Sequence, residues 1–206
     1  PVLDIFTDGA PARLESRTFG GDEKTVTAMG LWFASGVIEG GVIPVAKHYP
    51  GIGSARTTAR NPLPVLNQST TELASTMYPF ADAAGLRIPG ILAGHVSVPA
   101  IDVSDPPRPA SLSPTMINTV LRNRWGYGGV ILADDIALEA VTQTFSLPDA
   151  AVEALASGCD AVIVTETDPA VIRAICERIE GAVESGELAA SALRESKKRL
   201  DNWQAW

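Results

Sequence analysis

The sequence predicts an α/β fold built on a parallel sheet, and two observations carry that reading. Short apolar and β-branched runs alternate with helical stretches along the whole chain, the pattern of successive βαβ units. Two of these runs end in polar groups, Lys47-His48 and Asp134-Asp135, as the C-terminal ends of parallel barrel strands do.

The elements follow in order. Residues 2–6 read as a strand. Residues 22–39 read as a helix with Val26, Met29, Trp32 and Phe33 on one face. Residues 42–48 form the next strand. A helix spans 69–84, capped at Ser69 or Thr70 with Glu72 in its first turn. A strand at 90–96 precedes a helix at 113–124, with Ser113 as cap and Pro114 at the first position. Strand 130–133, helix 148–157 and strand 161–165 come next. Helices at 169–185 and 189–206 close the chain. Asp105-Pro106-Pro107-Arg108-Pro109 is a stiff loop within the domain rather than a linker.

Composition narrows the function. The chain has 206 residues, 46% hydrophobic and 19% charged, an ordinary globular balance that excludes disorder. A net charge of −8 repels phosphate backbones and argues against a nucleic-acid partner. No apolar run approaches about 20 residues, so no transmembrane span is expected. The start, Pro1-Val2-Leu3-Asp4-Ile5-Phe6, lacks a signal-peptide pattern and an initiator Met and opens inside a strand. A processed form or a fragment is therefore expected, and the compartment stays open. Cys159 and Cys176 have neither metal-ligand nor redox spacing, and Cys159 reads as a small buried side chain. No motif calls for a cofactor or metal.

An ordered series of segments carries a resemblance. It comprises Ser16-Arg17-Thr18-Phe19-Gly20, Lys47-His48-Tyr49-Pro50-Gly51-Ile52-Gly53, Gly94-His95-Val96 with Pro99 and Asp102, and Leu121-Arg122 through Gly129-Val130 into Asp134-Asp135. The series resembles glycoside hydrolase family 3, in its bacterial β-N-acetylglucosaminidase branch, from Pro1 to about the final helix. The resemblance implies a (β/α)8 barrel of the TIM type and retaining hydrolysis of terminal β-linked N-acetylglucosamine. The implied partner is a carbohydrate, an N-acetylglucosamine-containing glycan or muropeptide. It also implies that Arg17, Lys47 and His48 bind the sugar and that Asp134 is the nucleophile.

Such a barrel takes eight strands and about 250 residues, whereas five strands are predicted here. In the resemblance Pro1-Val2-Leu3-Asp4 is the third strand. The expectation is one incomplete barrel domain over residues 1–206, without the first two β/α units. Its exposed edge at residues 2–6 is then a site of self-association.

The residues themselves leave choices open. A retaining glycosidase needs an ionised carboxylate at the sugar-facing rim, and Asp134 or Asp135 can be that group while the other caps a helix. Lys47 and His48 are neighbours on a strand, so a regular strand points them to opposite faces. Lys47 can instead pair with Asp134 or Asp4, or serve as an aldolase-type Schiff-base lysine, and His48 can be a satisfied core histidine. The family's acid/base histidine is missing. Its Asp-Ser-His element falls on Thr58-Ala59-Arg60, and a second family histidine falls on Ile52. A guanidinium cannot donate and retrieve a proton near neutral pH. The loop, with Arg56 and Arg60, reads as a solvated surface segment or as an anion site. Three readings follow: an impaired glycosidase, a non-catalytic sugar-binding or scaffolding relative, or an inactive piece of a longer chain.

Overall fold

The structure is a computed structural model that describes residues 1–7, 12–58 and 61–204. Its strands are β1 (Val45–Tyr49), β2 (Arg56–Thr58), β3 (Asn61–Val65), β4 (Gly90–Ala93), β5 (Val130–Ala133) and β6 (Ala161–Val162). Its α-helices are α1 (Ala12–Glu15), α2 (Glu23–Glu39), α3 (Thr70–Gly85), α4 (Glu139–Thr142), α5 (Leu147–Ala156), α6 (Pro169–Ser185) and α7 (Ala190–Gln204).

A parallel sheet runs in the order β1-β4-β5-β6, which is chain order. Residues 2–6 extend it as a single bridge, not the full strand expected. Val2 pairs with Lys47, Leu3 N–H donates to Lys47 O at 2.7 Å, and Lys47 N–H donates to Pro1 O at 3.0 Å. The sheet is an open arc among the described residues. All four residues of β4 are buried, as a central parallel strand covered on both faces requires. Strand β6 is shorter than expected because Thr165 leaves the ladder. Its N–H and hydroxyl both donate to the Asp135 carboxylate, at 3.1 and 2.6 Å.

The helix ends follow their side chains. Asp22 caps α2 by accepting from Thr25 N at 2.8 Å. Ser69 and Glu72 form a reciprocal capping box on α3. Ser113 Oγ accepts from Met116 N at 3.0 Å as expected of a cap. The turns that follow, Thr115–Arg124, are π-wound rather than α.

One face is not as expected. Helix α2 buries Val26, Thr27, Gly30 and Ala34, whereas Met29, Trp32 and Phe33 are exposed, Trp32 by 72%. The reason is close packing on the first strand. A Cβ on Gly30 would lie 2.2 Å from Leu3 Cδ2, so the helix seats its small residues there and turns the large ones outward.

The N-terminal ends of the strands are sealed by polar structure. Asp160, with its side chain fully buried, accepts from Ile131 N at 2.8 Å, from Arg199 Nε at 2.8 Å and from Arg122 Nη2. Arg122 also donates to the carbonyls of Tyr127 and Gly129. Trp203 lies against Gly90 and donates from Nε1 to Pro89 O at 3.0 Å. Polar residues at this end of a barrel serve stability. Removing one partner of a buried pair costs about 3–5 kcal/mol. Asp160→Ala is therefore expected to lower unfolding free energy by about 3 kcal/mol or more, read from the urea midpoint at unchanged slope.

Candidate active site

The C-terminal ends of β1, β4 and β5 open on one cleft of about 440 Å³. His48, Gly94, His95 and Asp134 line it from the strand ends. Arg17, the β2–β3 hairpin and the start of α4 complete its walls.

The two adjacent aspartates are divided by their hydrogen bonds. Asp135 is committed to backbone: Oδ1 accepts from Ala137 N and Thr165 N, both at 3.1 Å, and Oδ2 accepts from the Thr165 hydroxyl. These bonds hold its carboxyl below the usual carboxylate range, against the effect of burial. Asp134 faces the cleft. Its N–H is fixed to Ala93 O at 2.9 Å, and its Oδ1 accepts from Asp135 N at 2.9 Å. Its second carboxylate oxygen has no hydrogen-bond partner among the described residues. Of the two adjacent aspartates, Asp134 is the one that lines the cleft.

Lys47 and His48 also separate. The strand slips register between Ala46 and Tyr49 against β4, and the Lys47–His48 peptide is cis. His48 lines the cleft and Lys47 does not. His48 Nδ1 sits 2.8 Å from Asp4 Oδ2, and Asp4 is fully buried. Asp4 Oδ1 accepts in turn from Ile52 N at 2.8 Å. An acceptor-only carboxylate makes Nδ1 the protonated nitrogen, leaving Nε2 for a ligand. A Cβ on Gly94 would lie 3.0 Å from His48 Cβ, so the glycine makes room for this ring. Lys47 pairs with neither Asp4 nor Asp134. Arg17 is exposed at the cleft mouth. Among the described residues, no group of His, Cys, Asp and Glu is arranged to hold a metal ion.

Comparison with known proteins decides the family. Residues 1–202 match the Glycosyl hydrolase family 3 N terminal domain. The chain belongs to glycoside hydrolase family 3. It is 30% identical over 206 residues to Beta-hexosaminidase LpqI of Mycobacterium tuberculosis, covering 97% of this chain and 52% of that protein. It is 33% identical over 177 residues to a Beta-hexosaminidase of Alkalilimnicola ehrlichii, covering 84% and 49%. The chain thus spans about half the length of these relatives. Among solved structures it superposes on a family 3 beta-N-acetylglucosaminidase from Paenibacillus with a TM-score of 0.92 at 27% identity, over 100% of this chain and 39% of that one. A family 3 glycosyl hydrolase from Mycobacterium smegmatis gives 0.84 at 32%, over 97% and 62%. The arc of parallel strands is accordingly part of a TIM-type barrel.

The remaining family 3 positions are structural or outside the described residues. His95 is buried with both ring nitrogens engaged: Nε2 with Asp135 O at 2.8 Å and Nδ1 with Ser111 Oγ at 2.7 Å. A carbonyl only accepts, so Nε2 carries the hydrogen and Ser111 donates to Nδ1. His95 therefore steadies the Asp134-Asp135 backbone. The loop after β1 is not the drifting segment expected. It is an antiparallel hairpin, β2–β3, tied to the body by Leu66 N to Ser97 O at 2.9 Å and Ser97 N to Pro64 O at 2.8 Å. Thr57, Pro62 and Pro64 make it a wall of the cleft. Ala59 and Arg60 lie outside the described residues; Thr58 ends β2, exposed. Cys159 is buried, its thiol pushed up by burial, and Cys176 is exposed; both are free.

Asp4 and Ser111 were the functional supports that sequence reasoning missed. Asp4 carried a signal, an acidic group inside an apolar run, but not its partner.

Burial pushes the His95 pKa below its ordinary 6.5, although Asp134 and Asp135 pull it upward. The unfolded chain then takes up a proton near pH 6.5 that the folded chain refuses, so stability falls as pH drops below about 6.5. In His95→Gln this component is expected to vanish. Comparing urea unfolding at pH 7.5 and 5.5 for the two proteins checks it; an unchanged difference would show that His95 is not held neutral.

Proposed function

We propose that the chain is a family 3 β-N-acetylhexosaminidase domain that cleaves terminal β-linked N-acetylglucosamine with retention, at a depressed rate. The observation that carries this is the cleft-facing carboxylate of Asp134, steadied by Asp135 and His95 behind it. Its oxygen attacks the anomeric carbon, the glycosidic bond breaks, and water later releases the sugar from the ester. His48 Nε2 and Arg17 border the same space and bind the sugar's hydroxyls and pendant oxygens. Lys47 is assigned to the substrate by the family resemblance alone.

The rate is depressed because Arg60 stands where the family's acid/base histidine is expected. General acid help is typically worth about 10²–10⁴-fold. An activated aryl β-N-acetylglucosaminide is therefore expected to be cleaved at least about 10²-fold faster than the β-linked disaccharide. Asp134→Asn is expected to abolish both activities. Equal rates on the two substrates would show a fully competent proton donor. Aryl hydrolysis that survives in Asp134→Asn would remove the nucleophile assignment, and sugar binding without any hydrolysis would favour the non-catalytic reading.

We also propose that residues 1–206 belong to one family 3 barrel domain, an assignment supported by the parallel sheet in chain order. Residues 2–5 are buried rather than the exposed edge expected, and the exposed apolar surface is on the side of α2 that carries Trp32 and Phe33. Self-association through this side is expected. Sedimentation should show a concentration-dependent oligomer that weakens in Trp32→Glu, whereas a monomer at all concentrations would count against it.

A further inference from the structure

The cleft holds a second carboxyl group besides Asp134, that of Glu139. We propose that Glu139 is the proton donor that sustains what turnover of unactivated glycosides remains. The inference rests on the retaining reading of Asp134 above.

Position argues first. Glu139 opens α4, five residues after Asp134 in the same strand-to-helix connection. That connection is a fixed turn. Asp135 Oδ1 holds Ala137 N at 3.1 Å, Asp135 O accepts from Leu138 N at 3.1 Å, and the same carbonyl takes the His95 hydrogen bond. Ile136 is fully buried and its N–H donates to Ile163 O at 3.1 Å. Glu139 thus leaves the turn at a set place on the same cleft as Asp134. Its side chain is exposed, with one long hydrogen bond of 3.4 Å from Gln143 Nε2. A proton carrier must be free to reach a departing oxygen, and Glu139 is free in this sense.

The other titrating groups of the cleft serve less well. His95 is buried with both nitrogens spent. His48 is on β1 while Asp134 follows β5, and β4 lies between them. Strands are spaced about 4.8 Å apart, which puts the two strand axes roughly 10 Å apart. Retaining enzymes keep the two groups about 5–5.5 Å apart. Arg17 is a guanidinium and gives up no proton.

The chemistry closes. As Asp134 attacks the anomeric carbon and the bond to the leaving oxygen breaks, protonated Glu139 gives its proton to that oxygen, releasing the alcohol. The Glu139 carboxylate then takes a proton from water. The water oxygen attacks the anomeric carbon, the Asp134 ester bond breaks, and both carboxyl groups return to their starting states.

The test uses the full chain with an aryl β-N-acetylglucosaminide of good leaving group and the β-linked disaccharide of N-acetylglucosamine. Glu139→Gln is expected to lower disaccharide cleavage about 10²-fold or more, with little loss in the first step on the aryl substrate. Added azide should restore aryl turnover and yield the β-glycosyl azide. Thermal melting of Glu139→Gln checks that the fold is kept. Unchanged disaccharide rate in Glu139→Gln, with hydrolysis still dependent on Asp134, would overturn this inference and leave the retaining reading standing. Absence of any Asp134-dependent hydrolysis in the wild type would overturn both.

Discussion

The register of β4 against β5 is the constraint on which the cleft depends. Gly90 to Ala93 pair in step with Val130 to Ala133, and the next donor along, Asp134 N, still reaches Ala93 O. Parallel strands in one register end at one edge, so groups distant in sequence arrive at one rim. His48, Gly94 and Asp134 meet there for this reason, each from a different βαβ unit. The pairing of β5 with β6 sends Asp160 to the opposite edge, where its carboxylate takes Ile131 N and two arginines and is occupied with holding the fold.

Loops above the rim are held by carboxylates rather than by packing alone. Asp4 fastens His48 and the turn at Ile52, and Asp135 fastens Ala137 and Thr165. Each is an acceptor that takes backbone N–H groups of the loop. Each sits beside the group that faces ligand space, so the site pairs a cleft-facing group with a neighbour that holds the loop. This division makes adjacent aspartates useful: one carboxylate stays available only because its neighbour satisfies the loop.

The same logic explains the glycines that matter. Gly51 has φ of +111° and lies where a Cβ would be 2.9 Å from Thr76 atoms, which turns the chain sharply after β1. Gly94 gives up its side chain to admit His48. Tyr49, on the buried face of β1, packs edge-on to Phe80 and Trp125 and donates to Met116 O at 2.9 Å, anchoring the strand from behind. Rigid apolar contacts on one face of the strand thus position polar groups on the other.

The sequence by itself determined the parallel α/β arrangement, the family, a cap at Ser69 or Thr70 and one at Ser113, and the pair of segments that reach the rim. Those features depend on local periodicity, on capping chemistry or on ordered motifs, and local rules read them. Tertiary structure decided the rest. Which of Asp134 and Asp135 faces the cleft depends on where Thr165 comes to lie, thirty residues on. Whether Lys47 or His48 faces the ligand depends on a register slip against β4 and on Asp4, far away in sequence. The β2–β3 hairpin leaves no strand pattern in the sequence because it carries two prolines and few apolar residues, and its order comes from bonds to Ser97. The exposed Trp32 and Phe33 lie on an apolar stripe that periodicity assigns to a core, but close packing of Gly30 on Leu3 sets which face of α2 turns inward. A pattern records that a face is apolar; only the neighbours that reach it decide whether it is buried.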